Sequence, residues 1–140
     1  MRTFETTIEI AALPSRVWAV ISDIERWHEW TASITSVQRL DDGPIRIGSK
    51  ARVKQPKLAG SVFEVTTWNP ERGFDWVTKS PGIQGLGRHV IEPTARGSRV
   101  TLSVTFSGPL TGFVALFFGG LTERYIEMEA DGLKGRAEAS

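Results

Sequence analysis

The chain has 140 residues, 40% of them hydrophobic, and sets 17 basic against 16 acidic side chains for a formal charge of +1. That balance, without any basic run, excludes nucleic acid or an acidic polymer as the expected partner, and the absence of cysteine excludes disulfides and thiolate chemistry. One domain over residues 1–140, with a substantial core, is expected at this length and apolar content.

Phe4, Thr6, Ile8 and Ile10 alternate with Glu5, Thr7 and Glu9, the period-two pattern of a half-buried strand. Residues 14–30 then read as two short helices meeting at Ser22 and Asp23. Pro14 suits a first helical turn, where its missing N–H would have had no partner. Val17, Trp18, Val20 and Ile21 share one helical face. Ser22 or Asp23 can cap the second segment, which carries Ile24, Trp27 and Trp30. Core packing is the reading for Trp18 and Trp27.

Residues 32–40 read as a second strand in which Ile34 and Val37 have opposite parity, through a bulge or a shifted boundary. After a turn at 41–44, a third strand over 49–55 sets Ala51, Val53 and Gln55 on one face and Lys50, Arg52 and Lys54 on the other. Residues 61–68 follow as a strand with Phe63 and Val65 on one face. In residues 74–79, Phe74, Trp76 and Thr78 alternate with Asp75 and Val77. Residues 83–92 form a strand containing Gly85 and Gly87. Val100, Leu102, Val104 and Phe106 then alternate with Thr101, Ser103 and Thr105. Parity places the first set toward a covering helix and the second outward, because a one-residue slip inverts every side chain.

From Pro109 to Ala137 the pattern is helical, with an apolar stripe of Leu110, Val114, Phe117, Leu121, Tyr125 and Met128. Gly119 and Gly120 put two poor helix formers together, which predicts that the helix starts after them or bends there.

Tight turns between successive strands imply an antiparallel meander. The fold class is therefore α+β: a curved antiparallel sheet of about seven strands wrapped round a long C-terminal helix, with two short helices after the first strand. Such a sheet round one helix leaves an internal cavity. No transmembrane segment is expected, since the longest apolar stretch, 113–121, falls short of the roughly 20 residues a bilayer needs. The first residues lack a signal-peptide core, so a cytoplasmic protein is expected.

Four motifs, in order, carry a family resemblance. They are the Pro14-x-x-Val-Trp-x-Val-Ile-Ser-Asp-x-Glu-x-Trp-x-x-Trp30 run, Asn69-Pro-Glu-Arg-Gly73 before Phe74-x-Trp76, Arg96-Gly-Ser-Arg-Val-Thr101, and Ser107-Gly-Pro109 ahead of the long helix. Together they resemble the polyketide cyclase/dehydrase-like branch of the START/SRPBCC superfamily. The resemblance implies the helix-grip fold, in agreement with the reading above. It leaves the activity open, since the superfamily includes lipid carriers, hormone receptors and aromatases.

The residues offer few groups for chemistry. Of two histidines, His28 sits at a helix end and reads as a surface residue. His89 shares parity with Gly85, Gly87 and Ile91 and points into the cavity. There it is either a satisfied core histidine, or a ligand contact or general acid–base, since imidazole is the side chain that changes charge nearest neutrality. Arg88 has the opposite parity and reads as outward, and Asp75, Glu64 and Glu92 form no carboxylate pair. No ligand spacing for a metal occurs, and no cofactor is expected: Gly82-x-x-Gly85-x-Gly87 opens no helix, unlike a phosphate loop. Trp30, Phe74 and Trp76 are candidate cavity aromatics or plain core, and Gln55 is a polar handle or a strand end already in water. The expected ligand-binding set is Trp30, Val53, Gln55, Phe63, Phe74, Trp76, His89, Phe106, Phe117, Leu121 and Tyr125, with His89 and Tyr125 as the catalytic candidates.

Three functions fit. A binding module would hold a small hydrophobic or aromatic molecule in the cavity. A polyketide aromatase/cyclase or dehydratase, which the resemblance implies, would fold a poly-ketone chain there and move protons with His89 or Tyr125. A structural protein would fill the cavity with its own side chains.

Overall fold

The computed structural model describes residues 1–139. Strand β1 (Arg2–Ile10) leads into helix α1 (Pro14–Ile21) and a 3-10 segment, Ile24–Glu29. Six strands follow: β2 (Ser36–Arg39), β3 (Lys50–Lys54), β4 (Ser61–Asn69), β5 (Gly73–Ser80), β6 (Ile83–Thr94) and β7 (Gly97–Ser107). Helix α2 (Thr111–Glu138) closes the fold. All neighbours pair antiparallel in the order β1-β7-β6-β5-β4-β3-β2, so α1 and the 3-10 segment carry the chain from one edge strand, β1, to the other, β2, and the meander returns through β7 to pair with β1. Helix α2 packs across β1 and β7. Among the described residues no helix is long and apolar enough to cross a membrane.

Parity on β7 follows the alternation. Val100 and Leu102 are buried against the helix side. On the outer face the hydroxyls of Thr101 and Thr105 hydrogen-bond those of Thr7 and Thr3 on β1. The second strand is shorter than expected: it starts at Ser36, so Ile34 lies before it in a loop, and the parity conflict is a boundary effect. A true bulge lies instead in β4 between Val65 and Thr67. It shifts the inward position to Trp68, whose ring packs on Trp18 with centroids 4.8 Å apart and on Phe74 at 5.1 Å. The expected cap is absent too, since Asp23 makes no side-chain cap and pairs with Arg26 at 3.5 Å.

Helix α2 contradicts two expectations. It starts at Thr111, ahead of Gly119 and Gly120, and continues through both over its 28 residues. Its buried face is Gly119, Tyr125, Ile126, Ala130, Leu133 and Ala137. The expected stripe is therefore off by about one residue near its start: Phe117 is 64% exposed, with Phe113 at 58% and Leu116 at 78%. The reason is steric. The helix approaches β1 and the end of the 3-10 segment closely, and only small residues fit at the contact. A Cβ added at Gly119 would lie 3.0 Å from Phe4 Cζ, and one at Gly132 would overlap the Trp30 carbonyl oxygen.

The C-terminal end of α2 is pinned by charge. Arg16 donates to the carbonyls of Arg136, Ala137 and Ala139, which have no partner within the helix. Arg136 donates to Glu29 at 2.6 Å, and Glu138 accepts from Lys134 and from the Ala11 N–H. The Lys134 hydrogen bond, with that of Ala11, holds the Glu138 carboxyl below the usual carboxylate range, and the Arg136 hydrogen bond does the same for Glu29.

This packing sets an order of stability among three glycine variants. Gly120 has open space around it, so Gly120→Ala raises stability by about 0.5–1 kcal/mol through helix propensity. Gly132→Ala lowers it by about 1–3 kcal/mol through overpacking, and Gly119→Ala falls between the two. Urea denaturation midpoints check the order, and equal effects at all three sites contradict the close approach. The helix clamp also responds to acid. A carboxyl whose pKa is depressed by folding stabilises the fold above the ordinary carboxylate range and loses that contribution as pH falls through the folded value. Stability therefore drops on acidification, and Glu138→Gln makes the drop shallower; an unchanged profile in that variant removes the clamp from the account.

Candidate functional site

Strand β6 presents Gly85, Gly87 and His89 on the inner face, with His89 paired to Phe74 of β5 and to Leu102 of β7. With α2 lying over these strands, a pocket of about 390 Å³ remains between sheet and helix. Of the expected set, Val53, Gln55, Phe63, Trp76, His89, Phe106 and Tyr125 line it. The other four do not, and each departure has a cause. Phe74 is 1% exposed and lies behind the wall, stacked on the His89 ring with centroids 4.2 Å apart. Trp30 faces a separate small groove beside Arg16 and Arg136. Phe117 turns to solvent and Leu121 is half-buried outside the lining, both displaced by the rotation of the α2 face; Phe118 and Thr122, each one residue further on, take the lining positions.

His89 is 6% exposed, packed edge-on against Trp76 and tilted against Trp27 at 5.5 Å. Its Nδ1 lies 3.0 Å from the Phe74 carbonyl oxygen. A carbonyl only accepts, so Nδ1 carries the hydrogen and donates it. The Nε2 edge of the ring then faces Glu129, whose Oε1 lies 3.6 Å away. That distance is beyond hydrogen-bond reach. Glu129 Oε1 is buried and has no hydrogen-bond partner among the described residues.

Glu129 is the group that sequence reasoning misses. A search for carboxylates along the strands overlooks it, because this one arrives from α2. Its signal is present all the same: Glu129 lies four residues after the inward Tyr125 and so shares its helical face. Tyr125 is anchored, since its hydroxyl donates to the Pro56 carbonyl at the loop after β3. Gln55 donates through Nε2 to the Ser33 carbonyl at 3.2 Å. Arg88 is outward, paired with Asp75 at 3.3 Å. Among the described residues no three His, Cys, Asp or Glu side chains gather as metal ligands would. The chemistry available is thus an imidazole–carboxylate pair at one end of a pocket with aromatic walls.

Comparison with solved structures places the fold. The Zhui aromatase/cyclase from a Streptomyces species superposes with a TM-score of 0.82 at 16% identity, over 98% of this chain and 93% of that one. The protein TTHA0849 from Thermus thermophilus gives 0.78 at 18% identity, over 97% of both chains. The di-domain ARO/CYC BexL gives 0.76 at 14% identity, over 99% of this chain and 47% of that one. Among curated proteins, 54 residues are 41% identical to part of the major outer membrane porin of Chlamydia muridarum, a match that spans 13% of the porin's length. The fold is the helix-grip of these cyclase neighbours. The family model described as polyketide cyclase/dehydrase and lipid transport matches residues 1–138, and the chain belongs to that family.

Proposed function

We propose that the protein binds a small apolar or aromatic molecule in the pocket between the sheet and α2. The observation that carries this reading is the pocket itself, about 390 Å³ with walls from Phe63, Trp76 and Phe106. Ligand sites of drug-sized molecules occupy about 300–1,000 Å³ and combine apolar walls with a few polar groups. Aromatic faces at several angles suit a planar guest.

A second reading is favoured by one observation, the unpaired Glu129 Oε1 beside His89. In it, the pair performs proton transfer on a poly-ketone. Nε2 removes a proton from a carbon flanked by carbonyls, the enolate attacks a second ketone of the same chain to form a carbon–carbon bond, and the proton returns to the new alkoxide. Glu129 stabilises the transient imidazolium, and the pocket holds the reacting carbons close. The neighbour named an aromatase/cyclase supports this reading at the level of the fold alone.

Native mass spectrometry of freshly purified protein is expected to show a bound small molecule that denaturing conditions release. His89→Phe keeps the fold and weakens a polar ligand by about 1 kcal/mol, the worth of one hydrogen bond. Under the second reading the same variant abolishes turnover and leaves affinity within a few-fold. A protein that retains nothing and takes up no aromatic probe in titration has a self-filled interior, and both readings fall.

A further inference from the structure

We propose that the His89–Glu129 end of the pocket is a receptor for one hydroxyl group, and that the ligand is a flat aromatic molecule with an O–H donor at its inner edge. The inference rests on the binding reading above and names the class of ligand.

The Phe74 carbonyl already takes the Nδ1 hydrogen, so Nε2 is the ring nitrogen left to the pocket. Glu129 Oε1 is buried and has no hydrogen-bond partner among the described residues. Nε2 and this oxygen therefore face each other across 3.6 Å with no hydrogen bond between them. An oxygen held about 2.8 Å from each sits off the line between them, on the open side of the pocket. A hydroxyl there donates its one hydrogen to either atom and, where the other carries a proton, accepts that proton's hydrogen bond in turn. An ether or ketone can only accept, and a hydrocarbon does neither.

The rest of the pocket limits the shape. Inward positions on β6 run from His89 through Gly87 and Gly85 to Ile83, a length of about 20 Å at the strand rise. Two of the intervening positions carry no side chain, and the Trp76 indole leans over Gly87, where an added Cβ would lie 2.9 Å from Nε1. Phe63 stands 5.0 Å from the Trp76 ring, centroid to centroid. The glycines thus let Trp76 and Phe106 settle onto the strand, and the aromatic surface they form fits a planar ring system, its hydroxyl directed at His89.

The test compares 2-naphthol with 2-methoxynaphthalene, which share the ring and differ in the donor. Isothermal titration of the whole protein at neutral pH is expected to show 2-naphthol bound about tenfold more tightly. In Glu129→Gln the new amide can donate to Nε2 and close the pair internally, so the preference shrinks to about twofold or less; His89→Phe has the same effect. Circular dichroism confirms that both variants fold, and the wild-type comparison decides the matter if they do not. Equal affinity for the two probes in the wild-type protein overturns the hydroxyl receptor and leaves the binding reading standing. A preference that survives both substitutions also overturns it, since the hydroxyl is then read elsewhere. Binding of neither probe overturns this inference together with the reading beneath it.

Discussion

The close approach of helix α2 to the sheet is the constraint on which the site depends. Glu129 reaches within 3.6 Å of His89 only because the helix backbone comes down onto its neighbours. Gly119 meets the Phe4 ring and Gly132 meets the Trp30 carbonyl, each where a Cβ would be too near. Glycine costs helix propensity, about 1 kcal/mol at each interior position relative to alanine. A 28-residue helix that buries Ile126, Ala130, Leu133 and Ala137 offsets that cost through packing. The electrostatic clamps at its C-terminal end then hold its register, with Arg16 on the terminal carbonyls and Arg136 on Glu29.

The second determinant is a single cross-strand hydrogen bond. The Phe74–His89 pairing on β5 and β6 sets the imidazole over a backbone carbonyl, and the carbonyl selects the tautomer. Phe74 stacks on the ring with an interplanar angle of 13°, so the ring has little freedom to turn. Sheet register thus decides which nitrogen enters the pocket. A one-residue slip of β6 would remove His89 from the pocket and bring in Arg88, whose charge is now held outside by Asp75.

Much of this architecture is legible in the chain. Alternation along Val100–Phe106 and along Gly85–His89 depends only on the two-residue period, and both place their side chains as read. The errors fall where period or hydrophobicity is a poor guide. The β4 bulge shifts Trp68 to the inner face, and no local residue announces it. Reading the α2 stripe from its largest apolar residues puts Phe117 inward, whereas the contact is made by glycine and alanine and Phe117 is 64% exposed. Phe74 has the right parity for the cavity wall and the wrong depth, since parity names a face and says nothing of what else covers it. Glu129 escapes the reading because its partner lies on another element, and pairing across elements is a property of the fold rather than of spacing.

The two ends of the pocket differ in what holds them. At the His89 end, Trp27, Phe74 and Trp76 enclose the imidazole, Trp27 is fixed by its own hydrogen bond to the Ile21 carbonyl, and α1 and the 3-10 segment close the core behind. At the other end the lining passes into Val114 and Phe118, on the turns of α2 where Phe113, Leu116 and Phe117 face solvent. Buried acceptors without donors destabilise a fold, by about 1–3 kcal/mol for each group left unmet. A protein can carry that cost where rigid aromatic packing prevents the acceptors from relaxing toward other donors. The His89 end meets that condition and the opposite end does not. The proposed polar recognition is therefore placed at the aromatic His89 end, and on that reading the length of a guest lies toward Val114 and Phe118.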